Sequence, residues 1–117
     1  MVYLEICTCS GDIMSFMNVV DPDLAEVMFR VIDLRFQNTL MPAQGEAALA
    51  LLDEARARWA GRYILVVEGT VPTRFAGRAS VVADRKGVPI TGLEAVRLLA
   101  ERARAVVANG VCASFGG

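Results

Sequence analysis

Histidine is absent from the chain, and that absence removes a wide range of chemistry. Without an imidazole there is no Ser-His-Asp or Cys-His nucleophile within the sequence, no imidazole base and no histidine metal ligand. Long apolar runs are absent as well. The longest are Ala47–Leu52 and Tyr63–Val67, both of core length, whereas a membrane-crossing helix needs about 20 apolar residues. Charge of one sign does not accumulate either: 12 Lys and Arg stand against 13 Asp and Glu, for a net charge of −1. Arg56, Arg58, Arg62, Arg97, Arg102 and Arg104 are offset by Glu46, Asp53, Glu54, Glu94 and Glu101. No basic stripe forms, so nucleic acid is not an expected partner. The sequence enters the apolar segment Val2–Ile6 with no basic leader region and no paired arginines, and the expected location is the cytoplasm. Cysteine is scarce: Cys7, Cys9 and Cys112 are the three. In that setting they read as ligands or buried thiols ahead of disulfides.

What remains is apolar. Hydrophobic residues make up 55% of the 117 positions and mean hydropathy is +0.44. That length suits one domain with a real core and is too short for two. So oily a chain without a spanning segment points to surface that a partner covers.

The elements alternate. Val2–Ile6 reads as a first strand leading into an irregular segment, Cys7–Asp12. Asp21-Pro22 reads as a helix opening, an Asp cap followed by Pro at the first helical position. Val31–Phe36 places Ile32, Leu34 and Phe36 on one side and Asp33 and Arg35 on the other, the pattern of a half-buried strand. Ala43–Trp59 is a helix stopped by Gly61. Tyr63–Val67 is apolar throughout, as a parallel strand covered on both faces requires. Ala79–Ala83 followed by Asp84-Arg85-Lys86-Gly87 suits a hairpin. Thr91-Gly92-Leu93-Glu94 has capping-box spacing and starts a helix to about Arg104. Ala105–Ala108 closes the series as a short strand. Strands alternating with helices predict an α/β domain with a parallel sheet.

In such sheets ligands sit beyond the carboxyl ends of the strands. Three carboxyl-end loops stand out: Cys7–Asp12, Glu68–Pro72 and Gly110–Gly117, and the first and third hold every cysteine. Adjacent strands lie about 4.8 Å apart, so these loops can converge although a hundred residues separate them. Cys9-Ser10-Gly11-Asp12 carries a thiol and a carboxylate, and Gly11 allows close approach of the backbone to a ligand. Thiolates favour iron–sulfur clusters or zinc, clusters most often being held by four thiolates. Spacing alone leaves two readings open, metal ligands or ordinary buried thiols. Glu5 reads as a solvated loop residue, whereas Glu68, at the end of a buried strand, reads as a positioning group. Trp59 reads as packing at a helix end, and Met14 and Met17 as packing or partner contact. Cys9–Met17 and Glu68–Pro72 are expected to form an exposed, largely apolar surface.

The motifs carry a resemblance. Val2–Asp12 resembles the opening of [NiFe]-hydrogenase small subunits, in which Trp-Leu-Glu-Gly leads into Cys-x-x-Cys. Tyr3-Leu4-Glu5 follows that opening, Cys9 falls on its first cysteine and Asp12 on its second. Cys9-Ser10-Gly11-Asp12-Ile13-Met14-Ser15-Phe16-Met17-Asn18 is similar to the actinobacterial high-affinity branch, whose proximal cluster uses three cysteines and one aspartate. Val66–Pro72 resembles the family's Val-Glu-Gly-Ala/Thr-Ile/Val-Pro loop, and Gly110–Gly117 its Gly-x-Cys-Ala-x-x-Gly-Gly ligand loop.

The resemblance implies a flavodoxin-like three-layer sandwich with a parallel sheet of order 2-1-3-4. It implies a single domain over residues 1–117, a fragment of a longer small subunit. It also implies a [4Fe-4S] cluster, incomplete in this fragment, with Cys9, Asp12 and Cys112 as ligands and Glu68 beside it. Cys7 stands where the family needs no ligand, and reads as a buried strand-end thiol ahead of a substitute ligand. The family's fourth ligand and its medial and distal clusters lie further along than Gly117. Gly11 and Gly117 stand where an oxygen-tolerant branch has extra cysteines, so that device is absent. The implied partners are the large subunit, which splits hydrogen at a nickel–iron centre, and a redox acceptor protein or quinone. The chain itself would hold no catalytic acid or base. Two rival readings remain. A cluster-bearing subunit of an NADH:quinone oxidoreductase shares the Gly-x-Cys-Ala loop but has adjacent cysteines that are missing here. A cluster-free flavodoxin-like assembly or binding module would use Cys7-Thr8-Cys9-Ser10-Gly11 as a reduced phosphate loop.

Overall fold

A computed structural model describes all 117 residues. Strand β1 (Val2–Glu5) is followed by helices α1 (Gly11–Met17) and α2 (Leu24–Glu26), a π-helical turn at Val27–Val31, and the two-residue strand β2 (Phe36–Gln37). Helix α3 (Gly45–Arg58) leads to β3 (Ile64–Glu68), then to the hairpin β4 (Val81–Arg85) and β5 (Val88–Thr91). Helix α4 (Gly92–Ala100), strand β6 (Ala105–Asn109) and helix α5 (Gly110–Phe115) complete the chain.

The main sheet is parallel and ordered β2-β1-β3-β6, and β4 and β5 pair separately. With the hairpin set aside, β6 is the fourth parallel strand, and the order is the expected 2-1-3-4. The chain leaves β1 toward β2 on one side and returns to β3 on the other, so the order reverses between β1 and β3. Period-two alternation sends side chains of β1 to opposite faces. Val2 and Leu4 join Phe36, Leu65, Val67, Ala55, Ala95 and Leu99 in the larger core. Tyr3 instead packs with Ile13 and Val66, beside Phe16 and Leu34. Residues of α3 and α4 thus meet one face and α1 the other, giving three layers. Each large aliphatic side chain buried this way contributes about 1.5–3 kcal/mol.

Local sequence accounts for most boundaries. Thr91 caps α4, its Oγ1 accepting from the Glu94 amide at 3.1 Å. At the hairpin turn Lys86 (φ 53°) and Gly87 (φ 83°) are both left-handed, as a two-residue turn of type I′ demands. Trp59 closes α3, half-buried against the larger core. The guanidinium carbons of Arg35, Arg62 and Arg58 lie 4.9, 5.3 and 5.9 Å from its ring centre.

Three expectations shift. Val31–Phe36 is not a strand over its length. Ile32, Leu34 and Phe36 do turn inward, but pairing with β1 is confined to Val2–Phe36 and Tyr3–Gln37. Val31 belongs to the π-helical turn, and with Phe36 already opposite Val2, the first residue of β1, residues 32 to 35 have no β1 partner. The helix expected at Asp21-Pro22 starts at Leu24, where Asp23 caps it by accepting from the Glu26 amide at 2.8 Å. Helix α4 stops at Ala100 because the next residues are held by the entry to β3. The Gly61 amide donates to the Arg102 carbonyl at 2.7 Å and the Arg104 amide to the Tyr63 carbonyl at 2.8 Å.

Candidate functional site

The carboxyl ends of β1, β3 and β6 bring Glu5, Glu68 and Asn109 side by side, since Glu5 pairs with Glu68 and Glu68 with Asn109. Glu68 is fully buried, and hydroxyl donors on two sides hold its carboxylate. Tyr3 donates to Oε2 at 2.5 Å and Thr8 to Oε1 at 2.7 Å. The Tyr3 oxygen accepts from Asn109 Nδ2 at 2.8 Å, and the Thr8 oxygen accepts from the Ser10 amide at 2.9 Å. One buried carboxylate therefore ties together the loop after β1, the end of β3 and the end of β6. Burial first, and then the hydrogen bond to Glu68, hold the Tyr3 phenol well above its ordinary pKa.

Glu5 is only 4% exposed, so it is not the solvated loop residue its sequence position suggested. It ends the innermost strand, flanked by β2 and β3. Its Oε2 accepts from Gln37 Nε2 at 3.0 Å and also from the Thr39 hydroxyl, while Oε1 has no hydrogen-bond partner.

Beyond these ends lie the predicted ligands: Cys9 is in the loop after β1, Asp12 in the first turn of α1, and Cys112 in helix α5, which takes up most of the expected Gly110–Gly117 loop. The Cys7 backbone bridges that of Thr70: the Thr70 amide donates to the Cys7 carbonyl at 2.9 Å and the Cys7 amide to the Thr70 carbonyl at 3.2 Å. Gly69 (φ 89°) permits this bridge, because a Cβ there would lie 2.5 Å from the Cys7 carbonyl oxygen. A Cβ on Gly11 would lie 3.2 Å from Cys9 Sγ. The Asp12 carboxylate packs directly on Gly110 (φ 81°), two residues before Cys112, where any Cβ would collide with it. A Cβ on Gly117 would lie 2.9 Å from Thr70 Oγ1 and 3.3 Å from Cys112 Sγ, so the Cys112 sulfur stands near the Thr70 side chain. Asp12 thus meets the Cys112 loop, and Cys112 the loop after β3. Cys7, Cys9 and Cys112 are all free thiols and exposed.

Two exposed thiols and an exposed carboxylate on one edge are the right kind of donor for a cluster. They fall short of a four-ligand set in number, and no three Cys, Asp or Glu side chains are placed to hold one ion, a closeness that a cluster whose irons each take their own ligand does not need. Tyr3, Thr8 and Asn109 were missed as members of the site. Their hydrogen bonds join residues 60 to 106 positions apart, and only the hydroxyl at Thr8 beside Cys9 hinted at a role.

The surface expectation needs revision too. Ile13, Glu68 and Gly69 are buried and Val71 and Pro72 half-buried, so of the apolar residues expected in the open Met14 is the one well exposed, at 51%. Large apolar groups are most exposed elsewhere, at Val20, Phe29, Phe75, Val111 and Phe115.

Comparison with known proteins agrees with the fold. Residues 9–117 match the family described as NADH ubiquinone oxidoreductase, 20 Kd subunit. The periplasmic [NiFeSe] hydrogenase small subunit of Desulfomicrobium baculatum is 39% identical over 114 residues, covering 93% of this chain and 36% of that protein. The structure of the reduced, active Ni-Fe-Se hydrogenase of the same organism superposes with a TM-score of 0.94 at 36% identity, covering 99% of this chain and 43% of that one. The actinobacterial-type NiFe-hydrogenase of Ralstonia eutropha H16 superposes with a TM-score of 0.80 at 28% identity, covering 99% and 38%. The chain spans about a third of the length of such relatives (36% and 28% for two of them).

The expected cytoplasmic location does not stand. The Desulfomicrobium relative is named periplasmic. So is small subunit 1 of the [NiFe] hydrogenase of Nitratidesulfovibrio vulgaris, 37% identical over 99% of this chain and 35% of its own length. The lack of a basic leader region was the wrong guide. No helix is long and apolar enough to cross a membrane. The matched profile, the shared sheet and the ordered motifs converge: the chain belongs to the family of the NADH ubiquinone oxidoreductase 20 Kd subunit and is a homologue of hydrogenase small subunits.

Proposed function

We propose that this domain serves electron transfer in a hydrogenase small subunit, with Cys9, Asp12 and Cys112 as ligands to a proximal iron–sulfur cluster. The observation that carries the reading is the meeting of the three predicted ligand loops at the β1–β3 switch point, with Asp12 packed on Gly110 and Cys112 close to Thr70. Ligand sites of open parallel sheets lie at such points. When bound, a cluster there would accept and pass on single electrons. The chain's own contribution is two thiols, one carboxylate and a rigid buried support at Glu68. Residues 1–117 are proposed as the N-terminal domain of a longer subunit, with a further ligand supplied from outside them. A large subunit carrying the hydrogen-splitting centre is the proposed partner, and a redox protein or quinone the acceptor. The relatives' names, hydrogenase small subunits, support that assignment.

Anaerobic reconstitution with iron and sulfide, followed by iron counting and low-temperature paramagnetic resonance, tests it. The 117-residue chain should bind iron weakly. Cys9→Ser and Cys112→Ser should each abolish binding, and Asp12→Cys should strengthen it, a thiolate being the softer ligand. Iron content indifferent to all three substitutions would overturn the ligand assignment.

A further inference from the structure

We propose that Tyr3, Thr8 and Glu68 act together as positioning residues for Cys9, setting the shape of its loop before any metal arrives. The proposal rests on the reading of Cys9 as a ligand, while the hydrogen bonds that support it exist without metal. Cys9 lies between two residues pinned by one hydroxyl. Thr8 Oγ1 donates to Glu68 Oε1 at 2.7 Å and accepts from the Ser10 amide at 2.9 Å. Ser10 itself is left-handed, at φ 59°, a conformation that a non-glycine residue keeps only where its surroundings enforce it. The enforcement is visible on both sides of Ser10. Its amide is held by Thr8, and its carbonyl accepts from the Met14 amide at 3.0 Å as helix α1 begins.

The anchor of this arrangement is rigid. Glu68 is fully buried in the central part of the sheet, and its second oxygen is fixed by Tyr3, whose hydroxyl is in turn held by Asn109. Hydrogen bonds to a carboxylate are the strong kind, so Thr8 cannot swing away without leaving the buried Glu68 Oε1 unpaired. The Cys9 sulfur lies against Gly11, where a Cβ would come within 3.2 Å of it. Neither of the other cysteines lies between two residues held by the Thr8 hydroxyl: Cys7 is held through its backbone by Thr70, and Cys112 is carried by α5, which meets this network only through Asn109 and Tyr3. The two serve as controls inside the same molecule.

The test uses the metal-free 117-residue protein. Thr8→Val keeps the branched shape and removes the hydroxyl, Thr8→Ser restores the hydroxyl, and Tyr3→Phe removes the second donor to Glu68. Brief alkylation with iodoacetamide and mass mapping gives the ratio of labelling at Cys9 to that at Cys112. Hydrogen exchange reports the Ser10 amide. In Thr8→Val, Ser10 exchange should quicken about tenfold or more, the factor expected for one lost hydrogen bond. The Cys9 to Cys112 ratio should change severalfold, with Cys7 unaltered. Thr8→Ser should return both readouts to the original values, and Tyr3→Phe should move them in the same direction by less. A ratio and an exchange rate unchanged in Thr8→Val would overturn the proposal, as would equal changes at all three cysteines. Should the chain bind no iron while the Cys9 ratio still responds, the positioning role stands and the ligand reading falls. Iron binding without that response leaves the ligand reading standing and overturns the positioning role.

Discussion

Removing the Glu68 carboxylate leaves two hydroxyls, on Tyr3 and Thr8, facing an apolar void at the end of β3. A stranded buried donor costs about 1–3 kcal/mol, so Glu68→Leu should destabilise the fold by about 3 kcal/mol. A drop in urea midpoint at unchanged slope would report it, and a loss under about 1 kcal/mol would show that the carboxylate is dispensable. Tyr3 adds a pH signature. Its phenol is held above the ordinary value, chiefly by burial, so above about pH 10 the unfolded chain releases a proton that the folded chain keeps. Stability is then full below that pH and falls as pH rises through the window above it. Tyr3→Phe should flatten the fall, as pH-dependent denaturation would show. Some slope should remain, because burial shifts Tyr63 in the same direction. At this scale the sequence, an acid closing an apolar run, pointed away from a solvated Glu68, and the residue is buried with two hydroxyl partners. Glu5 was misread since nothing in its neighbours announces flanking strands on both sides. Tyr3 and Asn109 were out of reach for the same reason: partners 106 positions apart leave no periodicity to read.

Among the elements, α4 offers the clearest energetic test. Thr91 satisfies the Glu94 amide at its start, and loss of such a cap costs about 1 kcal/mol. Thr91→Ala should show that loss in chemical denaturation, and Thr91→Ser should recover most of it. Equal stability of all three proteins would mean that solvent replaces the cap. The capping box, the hairpin turn, the long helix α3 and the inner strand β3 were all readable, because each is encoded within a few neighbouring residues. Element ends were not. Helix α4 stops where Arg102 and Arg104 are taken up by Gly61 and Tyr63, partners from another part of the chain. β2 shrinks to Phe36–Gln37 although inward and outward residues alternate as expected. Alternation reports which side chains turn inward, and strand pairing also needs a free neighbour edge over the same length. The sheet order, by contrast, came from the family resemblance of the three loops, since no single strand encodes which neighbours it will take.

At the scale of the whole molecule one share of the exposed apolar surface lies on and beyond an edge of the sheet. β6 is the outer strand, and its Val106 and Val107 are 51% and 45% exposed; beyond it Val111 and Phe115 are 71% and 87% exposed. An outer strand with apolar faces on view is a template for association. The isolated chain should therefore self-associate with rising concentration and bind a hydrophobic dye. Replacing Val106 and Val107 by lysine should reduce both effects in sedimentation and fluorescence measurements. A monodisperse, dye-silent parent chain would remove the physical support for a partner-covered surface.

The placement of Trp59 has a use of its own. It is the only tryptophan in the chain and sits just ahead of β3, while the ligand loops lie past that strand's far end. A five-residue strand spans roughly 17 Å, so the indole stands well away from the proposed ligands yet close enough for its emission to be drained by a coloured centre bound there. Three guanidinium groups around the ring fix its orientation. A cluster bound at the far edge, as proposed, would make the indole an intrinsic optical gauge, bright when that edge is bare and dimmed as it fills, readable without a label and without disturbing the segments it monitors.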